Sequence, residues 1–203
     1  MRARRLTPVT TDPYTQPAVA IPWPSTDEGP ARSLPHAAPG HLRRILVAGV
    51  GYRNLRDLSA GPELIERLRV LEWAPSVQVE DLSYGAVHVM HWLQEQASFD
   101  ATVIVASVAR GRPPGTVTCS KWRTPGMVSE VVQQSIAEAV TGVISLDTLL
   151  TVLAYFGVLP PTVITVELEP RDEDWGPQFS PLVQDALDMA VRTVQSQVEA
   201  LLR

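Results

Sequence analysis

Two runs of six residues constrain this chain more than anything else in it: Ile45-Leu46-Val47-Ala48-Gly49-Val50 and Ala101-Thr102-Val103-Ile104-Val105-Ala106. Neither alternates with polar residues, and both are short for a globular helix. A strand with no polar face has to be covered on both sides, which is the situation of a central strand in a parallel sheet. The rest of the chain supplies the cover. Leu64, Ile65 and Leu68 share one face of a helix over Pro62–Leu68, with Pro62 suited to its first turn. Val77–Asp81 alternates as a strand, and Gly85–Gln96 has helical spacing through Val87, Val89, Met90 and Leu93. Pro113-Pro114-Gly115 turns the chain into an edge strand over Thr116–Cys119. Helices follow near 129–138 and 145–156; Gly157 caps the second and Pro160-Pro161 stops it. Thr162–Leu168 reads as the last strand, and Leu182–Leu202 as a closing helix whose apolar stripe suits the sheet or another chain. Strands alternating with helices predict an α/β fold, a three-layer α/β/α sandwich around a mostly parallel sheet with one antiparallel edge strand.

That domain spans residues 43–203. Residues 1–42 differ in kind: they hold Pro8, Pro13, Pro17, Pro22, Pro24, Pro30, Pro35 and Pro39, and their apolar residues show neither period. Proline removes backbone donors and resists both helix and sheet, so this segment reads as a Pro-rich flexible N-terminal arm, with Tyr14 and Trp23 as aromatic anchors if it docks. The net charge of −5 gives no reason to expect nucleic acid or an anionic membrane as partner. No apolar stretch is long enough to span a bilayer, and the basic start Met1-Arg2-Ala3-Arg4-Arg5 is not followed by the apolar run of a signal peptide, so a cytoplasmic location is expected. The single cysteine, Cys119, excludes an internal disulfide and a cysteine-built metal site, and reads as a quiet edge-strand residue.

Gly49-Val50-Gly51 lies between a strand and a helix, but Asn54 stands where a dinucleotide-binding loop needs its third glycine, and the Gly-Lys-Ser/Thr of a P-loop is absent. Ser59, Ser83, Ser107 and Ser145 sit near element ends without a Gly-x-Ser-x-Gly elbow. His88 and His91 share a helix face, a two-imidazole arrangement for which the sequence supplies no third ligand.

An ordered set of short matches resembles the NiFe-hydrogenase maturation endopeptidases. Gly49-Val50-Gly51-Tyr52 stands for that family's Gly-x-Gly-Asn, followed by Asp57-Leu58 and Gly61 for its acidic loop and helix-start glycine. Glu80-Asp81 ends the second strand, Ile104-Val105-Ala106 ends the third, and Pro113-Pro114-Gly115-Thr116 resembles the Pro-Gly-Thr turn. Ser145-Leu146-Asp147 to Gly157 is similar to the penultimate long helix, and Glu169-Pro170, Trp175-Gly176 and Ser180-Pro181 to the last strand and the start of the final helix. The resemblance covers nearly all of residues 43–203. It implies a protease fold that removes a C-terminal extension from a hydrogenase large subunit once nickel is in place. It also implies three nickel-reading side chains: an acid in the first loop, an Asp ending the third strand, and a His before the penultimate helix.

Those positions fall on Leu58, Ala106 and Gly142, and no histidine follows His91. Carbon side chains offer a metal no lone pairs, so no resident metal or other cofactor is expected, nickel arriving only if the substrate carries it. Substitute carboxylates are Asp57, as the catalytic candidate, Asp81 and Asp147, as binding candidates, and Glu80 and Glu138. Each also has a structural reading: Asp57 holding loop amides, Asp81 capping a turn, Asp147 complementing a helix dipole. Two functions remain open. One is a maturation factor that holds a hydrogenase large-subunit precursor, or an accessory protein, without cutting it. The other is an active endopeptidase using a substituted carboxylate site.

Overall fold

The computed structural model describes residues 42–203 except 125 and 127. The arm read over residues 1–42 therefore lies, but for Leu42, outside the described residues. Five strands form one sheet: β1 Ile45–Val50, β2 Val77–Asp81, β3 Ala101–Ser107, β4 Val117–Lys121 and β5 Thr162–Leu168, in the order β2-β1-β3-β5-β4. All neighbours run parallel except β4, which pairs antiparallel to β5 with Cys119 opposite Val166. The helices are α1 Ala60–Arg69, α2 Ala86–Glu95, α3 Ser129–Val140, α4 Leu146–Tyr155 and α5 Pro181–Leu202, with a 3-10 turn at Arg56–Ser59 that the sequence pattern did not reveal. The expected three-layer α/β/α sandwich with an antiparallel edge strand is the fold observed.

Alternation along β1 and β3 builds the two cores. Ile45, Val47, Val103 and Val105 pack with α1 and α5 on one face, while Leu46, Ala48, Ile104 and Ala106 pack with α2, α3 and α4 on the other. Every residue of β1 is buried, as a two-sided apolar run requires. The open question about α5 is resolved by its contacts: Val183, Leu187, Ala190, Val194 and Val198 are buried against the chain's own sheet.

The C-terminal end of β1 meets α1 with no room for side chains. A Cβ on Gly61 would stand 2.1 Å from the Val50 carbonyl oxygen, and one on Gly49 would stand 2.5 Å from the Gly61 carbonyl oxygen. These glycines are required by the close backbone approach. The chain proceeds from β1 outward to β2 and then back across to β3, so the strand order reverses between β1 and β3. Ligands of open α/β sheets bind at such a switch point, outside the carboxyl ends of the strands.

Candidate functional site

A cleft of about 210 Å³ opens there. Val50, Gly51 and Tyr52 come to it from the end of β1, Leu58 from the 3-10 turn, Ala106 to Ala109 from the end of β3, and Ile144 to Asp147 from the α3–α4 turn. Glu173 reaches it from the segment between β5 and α5. Leu58 and Ala106, two of the three positions to which the family resemblance assigns ligands, thus line one cavity. Gly142, the third, does not line it. It has φ +85° and ends α3 as a left-handed cap: its N–H bonds the Ala139 carbonyl and the Val143 N–H bonds the Glu138 carbonyl. Ile144, two residues on, is the side chain that reaches the cleft, and its N–H donates to Tyr52 Oη at 2.9 Å.

The donors present do not fit a metal. The floor is aliphatic, and among the described residues no group of three or more His, Cys, Asp or Glu is placed to hold an ion. His88 and His91 are exposed on α2, away from the cleft.

The carboxylates singled out from sequence do not converge; each is held in a different local arrangement. Asp57 is completely buried beneath the segment between β5 and α5. Its Oδ2 accepts from Arg171 N at 2.9 Å, Asp172 N at 2.9 Å and Ser180 Oγ at 2.7 Å, and its Oδ1 accepts from Ser180 N at 2.7 Å. With an isolated bridge between Leu55 and Gly176, these bonds clamp the 170–180 segment to the first loop. Asp81 pairs with Arg53 at 2.6 Å and accepts from Ser83 N, closing a turn after β2. Glu80 lies within 3.6 Å of Arg69, and Glu138 accepts from Thr148 Oγ1 at 2.7 Å, joining α3 to α4. Of these, only Asp147 lines the cleft. It stands in the first turn of α4, whose N-cap Ser145 accepts from Thr148 N, and a two-pronged bond from Arg110 at 2.7 Å per prong engages both its oxygens.

Arg110 belongs to a charged cluster that sequence reading passed over. Glu167 and Glu169 are buried at the end of β5 and beyond. Glu167 is met by Arg110 at 3.1 Å and Arg112 at 2.7 Å, and Glu169 by the backbone N–H groups of Arg110 and Gly111. Burial alone pushes the Glu167 carboxyl up, but the bonds from Arg110 and Arg112 outweigh it and hold the group below its ordinary value. The Arg110 guanidinium is held protonated by Asp147 first and Glu167 second. A signal existed in the sequence, since Glu167 interrupts an apolar strand and two arginines flank Gly111, but the partners are more than fifty residues apart.

Solved structures place this architecture. The chain is similar to a hydrogenase 2 maturation peptidase from a Thaumarchaeota archaeon, at 25% identity and a TM-score of 0.55, covering 77% of this chain and 98% of that one. It is similar to the hydrogenase maturating endopeptidase HybD from E. coli at 23% identity and a TM-score of 0.58, over 77% and 93%. A NiFe hydrogenase maturation protease, HybD from Thermococcus kodakarensis, matches at 16% identity and a TM-score of 0.53, over 76% and 98%. No protein-family model matches the sequence, and no curated protein matches it. The fold is therefore that of the NiFe-hydrogenase maturation proteases, and the resemblance read from short motifs is borne out. Its sequence is no more than 25% identical to these three.

Proposed function

We propose that this protein is a hydrogenase maturation factor that binds a NiFe-hydrogenase large-subunit precursor without cutting it. One observation carries the reading. Leu58 and Ala106, which the resemblance marks as ligand positions, come together on one cleft at the switch point, and both present carbon there. The remaining candidates do not assemble into a substitute. Asp57 is buried with four bonds and Asp147 is engaged by Arg110, so neither of these two carboxylates is free to activate a water. What supports binding is a formed cleft, a clamped neighbouring segment, and Trp175 at 75% exposure on that segment.

The test incubates the purified full chain with a nickel-loaded large-subunit precursor. A stable complex on size-exclusion chromatography, with precursor mass unchanged by mass spectrometry, is the expected result. C-terminal trimming of the precursor overturns the non-cutting part, and the absence of any complex overturns the partner.

A further inference from the structure

We propose that the cleft is a side-chain socket for one aliphatic residue of a partner polypeptide, read together with an adjacent lysine or arginine and without metal. This deepens the binding reading above and rests on it for the identity of the partner.

The lining is mainly aliphatic, from Val50, Leu58, Ala106, Val108, Ile144 and Leu146, with Tyr52, Ser107 and Ser145 as its uncharged polar groups. A cavity of about 210 Å³ admits one branched or long apolar side chain, and not a folded element. Burying such a side chain contributes on the order of tenfold or more in affinity. The mouth sets the sign of the neighbour. The charged residues lining the cleft are both carboxylates, Asp147 and Glu173, with no lysine, arginine or histidine among them. Asp147 is already matched by Arg110. Glu173 is exposed, and its carboxylate meets no cation among the described residues. A residue that fills the socket therefore leaves its chain neighbour beside an unmatched negative charge. A cationic neighbour is attracted there, and an acidic one is repelled.

The experiment titrates the 15N-labelled full chain with the peptide acetyl-Gly-Gly-Leu-Arg-Gly-amide and follows backbone amide shifts. Saturable shifts at Gly51, Tyr52, Ser107 and Ile144 are expected, weakened by about tenfold when the peptide leucine becomes alanine. Glu173→Lys, an exposed change that leaves the core untouched, is expected to weaken the arginine peptide and to favour its glutamate counterpart. Nickel chloride is expected to change neither affinity. Equal binding of the leucine and alanine peptides, shifts confined to the opposite edge of the sheet around Trp122 and Val163, no charge-swap effect, or a nickel requirement each overturns the proposal. Because the peptide assay needs no precursor, the two readings fail separately. A precursor complex with an inert peptide sinks the socket alone, and peptide binding without a precursor complex sinks the partner alone.

Discussion

Replacing Asp57 separates a structural anchor from a catalytic acid, because the two roles predict different measurements. The carboxylate is fully buried and receives four hydrogen bonds, three from backbone N–H groups and one from the Ser180 hydroxyl. In Asp57→Ala the buried Ser180 N–H is stranded, at a cost of about 1–3 kcal/mol, while the half-buried N–H groups of Arg171 and Asp172 regain water and cost about 1 kcal/mol each. The sum is about 3–5 kcal/mol. For a folded unit of this size each kcal/mol moves Tm by about 2–4 °C, so a fall of about 10 °C is expected by circular dichroism. Ser180→Ala removes the hydroxyl bond alone and is expected to cost about 1 kcal/mol, or about 3 °C. The fall should come with early proteolysis inside residues 170–180, the segment that Asp57 clamps. A Tm within about 2 °C of wild type for Asp57→Ala refutes the anchor role. It would also reopen a catalytic one, since active-site carboxylates are commonly held at a cost to stability.

The remaining expectations concern other parts of the scaffold. Gly61→Ala forces a Cβ to 2.1 Å from the Val50 carbonyl oxygen, and a loss of about 3 kcal/mol, or insoluble expression, is expected. Gly142→Ala costs about 1–2 kcal/mol in urea unfolding because position 142 holds φ +85°, and Gly142→His is expected to cost as much without creating a nickel site by calorimetry. Glu167 titrates below its ordinary value of 4.5 in the folded protein. A depressed carboxyl stabilises the fold above the unfolded-state value and loses that contribution as pH falls through the folded-state value. The urea midpoint gap between wild type and Glu167→Gln should therefore narrow as pH drops below about 4.5, and a gap constant from neutral pH to pH 3 contradicts the ion pairing.

The fold was legible because its determinants are local. The apolar runs at 45–50 and 101–106 name central strands by themselves, and Gly157 stops a helix with bonds confined to a single turn. The site was legible only in outline. Motif order brought Leu58 and Ala106 to one place, while position 142 lies outside the lining: its glycine ends α3, and Ile144 reaches the cleft from the same turn. The Glu167 and Glu169 cluster was missed because its partners come from a loop far earlier in the chain, and no periodicity reports a pairing at that separation. Asp57 shows the same limit from the other side. In sequence it is an acid beside a glycine loop; only the fold shows that the groups it holds lie more than a hundred residues later.

What holds this scaffold together and what would give it chemistry are carried by different residues, which is why one can persist without the other. The close approach of Gly49 to Gly61, the four bonds to Asp57 and the Arg110–Glu167 pair shape the walls of the cleft from outside it. None of them depends on a donor inside. Leu58 and Ala106 face the cavity, and Ala106 is also packed in the apolar core with Ile104 and Leu146, so carbon there joins the floor to the core behind it. An aspartate at 106 would have to bury a charge against that core unless an ion or a cationic partner met it. With Ala106 the cleft carries no such cost. The proposed preference of this pocket is therefore for an apolar side chain, and the Glu173 carboxylate, which meets no cation among the described residues, would favour a polypeptide that brings a positive charge beside it.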